Sequence, residues 1–481
     1  MTDKPSLKEK TYKGILWNAV EKFSVKGIKF IIGIILARLL IPEDFGLIGM
    51  IAVFIAISQT FIDSGMMSGL IQKQGRSNKD FSTVFVFNFG LSVLAYILLY
   101  VSAKYIALFY NTPVLIPIIK VVGINIIINA LAIVQRARLI INMDFRTLAK
   151  VTISSEIISG FIAIYLAYNG YGVWSLVIKQ IIVSIITLLL LWYLSRWKPS
   201  LLFSKQSFKN LFGFGSKLLI AGIYAQVMHQ IYNVFIGKYY SAGQLGNYTQ
   251  GKQLAVLPAE TISGIIYQVT FPLLSGLQND TTKMISVFRS LLKMSAFVMF
   301  PCMTGIAILA EPFITLFLGQ KWLMAIPLMQ WMCFARIFYA QSVLNLNILN
   351  AIGRSDLFLK VDLSKAPIGI IILLFTLPIS VEAMVIGQVI SSTINFYINT
   401  YLPGKLFGHG VLSQLKDIWP TMALTVVMSI IILLSISLVE TNILRLIVGV
   451  VAGLISYIGI SHLLKLEELK EVKKLLRTIG K

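Results

Sequence analysis

Cysteine and charge are both scarce in this sequence. The only cysteines are Cys302 and Cys333, and both lie in apolar stretches, so neither a disulfide framework nor a thiolate metal site is available. Charged residues make up 13% of the 481 residues, whereas 57% are hydrophobic, and the mean hydropathy is +0.82. Such a composition leaves little surface for contact with water. We therefore expect an integral membrane protein.

Apolar stretches recur along the chain at lengths that match a bilayer. A membrane-spanning helix needs roughly 20 mostly apolar residues, each adding about 1.5 Å of rise. On this criterion the sequence predicts an all-α integral membrane fold with 14 transmembrane helices. The predicted spans are 14–37, 46–70, 82–103, 114–135, 151–168, 173–195, 214–237, 252–274, 291–310, 323–349, 357–378, 382–402, 418–438 and 443–463.

Basic residues follow a topological rule. They are concentrated in alternate loops, and the opposite loops carry only Arg38, Lys104, Lys238, Lys321 and Arg445. The positive-inside rule places both termini in the cytoplasm. No cleavable signal peptide is visible, because the first thirteen residues are polar and the next apolar run has no small-residue cleavage site. The net charge of +22 thus reflects topology rather than a basic face for nucleic acid, and we expect no nucleic-acid partner.

The sequence contains an internal repeat. An offset of 200 aligns Arg38 with Lys238 and Gly46 with Gly246, and from the third span an offset of 208 aligns Gln180 with Gln388. Two six-helix repeats in the same orientation predict two lobes around a central cavity. The predicted segments are a cytoplasmic N-terminus (1–13), an N-lobe (14–195), a basic cytoplasmic linker (196–213), a C-lobe (214–403), two further helices (404–463) and an amphipathic cytoplasmic tail (464–481).

Seven basic residues fall inside the predicted spans. They are Lys22, Lys26, Lys29, Lys120, Lys179, Lys252 and Arg336. A charge at the bilayer centre costs about 2.5 to 3.5 kcal/mol, so these side chains are expected to face a bundle interior or an aqueous cavity.

Three of these lysines share one helix face. Lys22, Lys26 and Lys29 occupy positions i, i+4 and i+7, over about 10 Å of rise. They predict an electropositive cavity wall that binds an anionic substrate, and we add Lys179, Lys252 and Arg336 to this binding set. The alternative is that the long lysine side chains snorkel toward an interface.

Uncharged polar residues occupy the equivalent part of the seventh span. The offset of 200 places Gln226 and His229 where the first helix has Lys26 and Lys29, and Gln230 follows. Amide and imidazole groups suit sugar hydroxyls, so we assign these residues to substrate binding. The alternative is that the amides form hydrogen bonds between helices.

Acidic residues inside the spans are few. Asp63, Glu156 and Glu260 could couple transport to a proton or sodium gradient, or they could form salt bridges. No metal site and no cofactor are expected beyond Na⁺ or H⁺ as a coupling ion.

Several short motifs carry a family resemblance. They are Ala37–Gly46, which reads ARLLIPEDFG, then Asp63-Ser64-Gly65, Gly172–Leu176 and Phe271–Ser275. With these motifs the sequence resembles the polysaccharide transporter family of the MOP flippase superfamily, the Wzx-type exporters, and is most similar to the colanic acid and teichuronic acid exporter branch.

The resemblance implies a 14-helix, two-lobed flippase of the bacterial cytoplasmic membrane. Its implied substrate is an anionic oligosaccharide repeat unit linked to undecaprenyl diphosphate, which alternating access moves across the membrane for cell-surface polysaccharide biosynthesis. The implied partners are membrane lipids and the polysaccharide polymerase and glycosyltransferases of the same pathway.

Other functions remain as alternatives. A cation-coupled multidrug exporter of the same superfamily would favour an acidic cavity, and the lysine face argues against it. A membrane glycosyltransferase, polymerase or ligase generally needs a large external catalytic loop, but the longest one here, Lys238 to Lys252, has only about 15 residues. We therefore expect a transporter and not an enzyme.

Overall fold

The fold is built from helices. The computed structural model describes residues 7–63, 65–200 and 202–471, and no strand occurs in these ranges. Within the same ranges, eleven helices are long and apolar enough to cross a membrane. The prediction of an all-α, multi-pass membrane protein is confirmed.

The chain divides into two compact units, Met1–Gly246 and Asn247–Lys481. The helices of the first unit are α1 (Leu7–Leu39), α2 (Pro42–Asp63), α3 (Met66–Gln72), α4 (Asn78–Tyr110), α5 (Leu115–Ile141), α6 (Phe145–Tyr168), α7 (Val173–Ser195) and α8 (Lys205–Tyr239). Helix α9 (Ala242–Ser275) begins in the first unit and continues into the second.

The second unit contains the remaining helices. They are α10 (Thr281–Ile308), α11 (Ala310–Phe317), α12 (Ala325–Ala335), α13 (Tyr339–Ala351), α14 (Ser355–Thr376), α15 (Val381–Phe407), α16 (Val411–Ser437) and α17 (Asn442–Leu463). A short 3₁₀ turn, Gln320–Trp322, lies between α11 and α12.

The boundary between the units differs in position from the predicted linker at 196–213. Helix α8 packs against α2, α3 and α4, so it belongs to the first compact unit although it opens the second sequence repeat. The lobes defined by the sequence repeat stay a prediction.

Three predicted spans are not among the eleven membrane-length apolar helices. Two of them, 14–37 and 357–378, lie in α1 and α14, which carry several charged side chains each. The third, 323–349, is interrupted. Helix α12 ends at Ala335, the backbone N–H of the capping residue Arg336 donates to the Cys333 carbonyl, and α13 begins at Tyr339. The sequence has no glycine or proline at this break, so hydropathy alone predicted one continuous helix.

Close packing of α1 on α6 fixes the rotation of both helices. A Cβ atom added to Gly160 of α6 would lie 2.1 Å from Cδ1 of Ile32 on α1. Ala163 and Ala167 continue this small-residue face and are buried against Leu36 and neighbouring apolar side chains. Small residues allow two membrane helices to approach closely. This contact lies one helical turn from the charged residues described below.

In the second unit, α10, α16 and α17 enclose a buried cluster. Phe297, Met428 and Tyr457 are among its members, and the Tyr457 hydroxyl donates to the Phe297 carbonyl over 2.8 Å. Leu469, in the predicted cytoplasmic tail, is only 8% exposed and joins this cluster. The first part of the tail therefore packs on the protein, whereas residues 472–481 lie outside the described residues.

The starts of α2 and α9 meet in a reciprocal contact within the first unit. A Cβ atom on Gly46 would lie 1.7 Å from the Ala242 carbonyl oxygen, and one on Gly246 would lie 1.8 Å from the Pro42 carbonyl oxygen. The sequence offset of 200 maps Gly46 onto Gly246 and Pro42 onto Ala242, so it converts one contact into the other. Only glycine allows the two backbones to approach this closely.

Candidate functional site

The first cluster of charges within the predicted spans joins α1, α6 and α7. Lys29 Nζ lies 3.0 Å from Glu156 Oε1, and Lys179 interacts electrostatically with both residues. The Lys29 side chain is 53% exposed, whereas that of Glu156 is only 5% exposed. Since two ammonium groups face one carboxylate, the cluster has an excess positive charge.

Glu156 is not fully satisfied by this arrangement. Its second carboxylate oxygen, Oε2, is buried and has no hydrogen-bond partner among the described residues. Buried polar groups are normally paired, so an orphaned carboxylate oxygen needs an explanation. From the sequence, Glu156 was a candidate either for ion coupling or for a salt bridge, and Lys29 a candidate for substrate binding; the structure places the two side chains in one ion pair.

The other lysines of α1 are in different surroundings. Lys22 is exposed and Lys26 is half-buried, and both lie on the same helix as Lys29. Glu21 accepts a hydrogen bond from the Thr152 hydroxyl of α6 over 2.9 Å, one turn before Glu156. The seam between α1 and α6 therefore carries two separate acidic groups, which moderate the predicted electropositive face.

The second cluster lies in the second unit, where α9 faces the break between α12 and α13. Lys252 interacts electrostatically with Arg336 and Glu260. Lys252 Nζ lies 5.9 Å from the centroid of the Tyr248 ring, and Arg336 Cζ lies 5.1 Å from that of Tyr339. This cluster also has two cations, Lys252 and Arg336, and one acid, Glu260. Each cation lies over a tyrosine ring and is attracted to it by a cation–π interaction.

The tyrosines of this cluster were not predicted from the sequence. Tyr248 is buried, and its hydroxyl lies 3.1 Å from Gln388 Nε2, which donates to it. Tyr248 precedes Lys252 by four residues, and Tyr339 follows Arg336 by three. A spacing of four places Tyr248 and Lys252 on the same helix face, so this contact could have been predicted. The contact of Arg336 with Tyr339 depends on the unexpected end of α12.

The polar residues of α8 differ in exposure. Gln226 and Gln230 are half-buried and His229 is exposed. Gln230 Oε1 accepts a hydrogen bond of 2.7 Å from Asn233 Nδ2 on the same helix. Their role in sugar binding stays a prediction.

Asp63 lies in a third environment, at the exposed end of α2. It shares a side-chain hydrogen bond with Gln59 and interacts with the Arg136 guanidinium. Gln59 in turn accepts a bond of 3.3 Å from Asn129, which links α2 to α5. Asp63, Glu156 and Glu260 each have a basic neighbour, an arrangement that salt bridging requires, and ion coupling through them stays a prediction.

A further group of charges lies where α10 and α16 meet. Arg289 donates to both carboxylate oxygens of Asp417, over 2.9 and 2.7 Å, and His409 Nε2 lies 3.2 Å from the same carboxylate. Burial lowers the pKa of His409, and Arg289 lowers it further, while Asp417 raises it. The paired Arg289 and Asp417 suit a structural role, whereas His409 Nε2 is buried and has no hydrogen-bond partner among the described residues. Within the described residues, no group of three His, Cys, Asp or Glu could hold a metal ion.

Fold and site thus define a membrane protein that is helical throughout its described residues and has a cation-rich charge cluster in each compact unit. The sequence profile of a family described as polysaccharide biosynthesis protein matches residues 35–327. The chain belongs to this family, and the resemblance carried by its motifs is confirmed.

Individual relatives agree with this assignment, and a solved structure shows the same fold. The chain is 27% identical over 467 residues to the teichuronic acid biosynthesis protein TuaB of Bacillus subtilis (strain 168), with 94% of this chain and 95% of the relative covered. It is 25% identical over 363 residues to the lipopolysaccharide biosynthesis protein WzxC of Escherichia coli (strain K12), covering 75% and 74%. The lipid II flippase MurJ, in an inward closed conformation, has the same fold, with a TM-score of 0.77, 16% identity, and 94% and 99% coverage.

Proposed function

We propose that this protein is a flippase that moves oligosaccharide repeat units linked to undecaprenyl diphosphate across the bacterial cytoplasmic membrane. The observation that carries the proposal is the excess of cations in both charge clusters, Lys29 and Lys179 around Glu156, and Lys252 and Arg336 around Glu260. A cavity for cationic drugs would need the opposite balance. Membership of the polysaccharide biosynthesis family points to the same class of substrate.

The chemistry of the substrate matches the side chains available. Ammonium and guanidinium groups form charge-assisted hydrogen bonds with diphosphate oxygens, which are roughly twice as strong as neutral ones. Gln226, His229 and Gln230 would bind sugar hydroxyls, while the lipid tail stays in the bilayer. The protein's task is to bind and release, so its residues form and break non-covalent contacts and no covalent bond of the substrate changes.

The proposed architecture has 14 transmembrane helices, with two six-helix repeats in parallel orientation around a central cavity, plus two C-terminal helices. Both termini lie in the cytoplasm, and the lobes expose the cavity to each side in turn. The exchange of equivalent positions between Gly46–Ala242 and Pro42–Gly246 supports a two-fold relation between repeats, because a two-fold contact is self-complementary.

We further propose a proton or sodium gradient as the energy source, with Asp63, Glu156 and Glu260 as the candidate coupling residues. The polymerase and glycosyltransferases of the same polysaccharide pathway would supply the substrate and consume the product. A transporter that acts between such enzymes needs no catalytic group of its own.

Reconstituted protein provides the test. Liposomes containing the protein and a fluorescent oligosaccharide linked to undecaprenyl diphosphate should show protein-dependent flipping. Lys26→Ala should slow it, and Lys26→Arg should retain more activity because it keeps the charge. Lys104→Ala, at an exposed position near the end of α4, serves as the matched control.

One result would contradict the flippase itself: flux of a lipophilic organic cation without any flipping of the lipid-linked sugar, which would favour the multidrug exporter. Full flipping activity in the Lys22, Lys26 and Lys29 triple alanine variant would instead contradict the substrate-binding role of these lysines and leave snorkelling as their role.

A further inference from the structure

The ion pair between Lys29 and Glu156 is asymmetric. The carboxylate is buried in the seam between α1 and α6, whereas more than half of the lysine side chain is exposed. The packing of Gly160 on Ile32, one turn away, holds the backbone of α6 against α1. Lysine has a flexible four-carbon stem, so the ammonium group can move while the carboxylate stays in place.

Departure of Lys29 would leave Glu156 as a buried charge. An uncompensated buried carboxylate is strongly unfavourable. Lys179, on α7, interacts electrostatically with Glu156 and is repelled by Lys29. It therefore stabilises the carboxylate most when Lys29 is absent, and the unpaired Oε2 atom of Glu156 provides a free acceptor for a second donor.

We propose that Glu156 is an internal counter-anion that competes with the substrate diphosphate for Lys29, while Lys179 stabilises Glu156 when Lys29 moves to the substrate. The inference rests on the proposed function and identifies two positioning residues that set substrate affinity through a third. An ammonium group that is paired with Glu156 binds a phosphate less tightly than an unpaired ammonium group does. The competition thus keeps the affinity low enough for substrate release.

The scheme predicts effects of opposite sign. Glu156→Gln removes the competitor, so undecaprenyl diphosphate should bind about two- to five-fold more tightly, the range of a partly exposed ion pair, and turnover should slow. Lys179→Met leaves Glu156 more dependent on Lys29, so binding should weaken by a similar factor. A merely structural role would make both substitutions act in the same direction.

The experiment is a binding titration with the full chain in lipid nanodiscs at fixed ionic strength, with undecaprenyl diphosphate as the probe. Glu440→Gln and Lys104→Met, both at exposed positions, are the charge-matched controls and should leave affinity unchanged. If Glu156→Gln does not fold, Glu156→Asp replaces it, because withdrawing the carboxylate by one methylene lengthens the pair and predicts a smaller tightening. Expression level and thermal melting identify a folding defect.

Double variants that combine Glu156→Gln or Lys179→Met with Lys29→Met test the mechanism. In the Lys29→Met background neither Glu156→Gln nor Lys179→Met should change the affinity further. Continued weakening by Lys179→Met would make Lys179 a direct ligand and overturn the scheme, and so would a wild-type or reduced affinity in Glu156→Gln. Failure of the wild-type protein to bind undecaprenyl diphosphate would instead refute the proposed function itself.

Discussion

Replacement of Gly46 by alanine should separate the N-terminal ends of α2 and α9. The new Cβ atom would lie 1.7 Å from the Ala242 carbonyl oxygen, half of the 3.4 Å at which ordinary van der Waals contact begins. The neighbouring atoms belong to the backbone, so no side chain can rotate away. Overpacking of this kind costs about 1 to 3 kcal/mol, and we expect Gly46→Ala near the upper end.

The matched control is Gly90→Ala on α4. A Cβ atom at Gly90 meets nothing within 4 Å, so the substitution should stabilise the helix by about 0.5 to 1 kcal/mol through reduced backbone entropy. Thermal melting of both purified variants in the same detergent measures the difference. Equal melting temperatures for Gly46→Ala and Gly90→Ala would refute the close approach of α2 and α9.

A second replacement, Gly246→Ala, tests whether the two contacts are one structural unit. Its Cβ atom would lie 1.8 Å from the Pro42 carbonyl oxygen, so it should destabilise the protein as Gly46→Ala does. A single outward shift of the two helix ends relieves both clashes. The double variant should therefore lose less stability than the sum of the single variants, whereas strict additivity would show that the contacts are independent.

Three further predictions concern the second unit. Tyr457→Phe removes the hydrogen bond to the Phe297 carbonyl and should lower the free energy of unfolding by about 1 kcal/mol, measured by denaturant or heat; an unchanged stability would contradict it. Asn345 and Gln414 exchange two buried hydrogen bonds of 2.9 and 2.7 Å, so Gln414→Leu alone should cost about 1 to 3 kcal/mol, and the double leucine variant should cost less than the sum of the two single variants. Burial lowers the pKa of His409 from 6.5, so the stability that this residue contributes is complete above pH 6.5 and is lost as the pH falls below that value. His409→Gln should therefore flatten the dependence of the melting temperature on pH between about pH 8 and pH 5. An identical pH dependence in both proteins would refute this.

The arrangement of the charged residues was only partly predictable from the sequence. Helix periodicity in the sequence predicts that Lys22, Lys26 and Lys29 share one helix face, and all three residues lie on α1 in the structure. Periodicity could not place Glu156 against Lys29, because the two residues are far apart in the chain. Their contact depends on how α1 and α6 are rotated about their axes. Gly160 and Ile32 set that rotation by packing.

The sequence by itself determined the class of protein, the approximate position of most helices and the family. Hydropathy and helix periodicity are local properties, so they can be read along the chain without knowledge of tertiary contacts. Only the tertiary structure decided that the helix predicted at 323–349 breaks after Ala335, that α8 packs with the first unit, and that Lys29 and Lys179 share a cluster with Glu156. These features depend on distant side chains that meet in space, and the energy of a buried charge is set by its neighbours rather than by its position in the sequence.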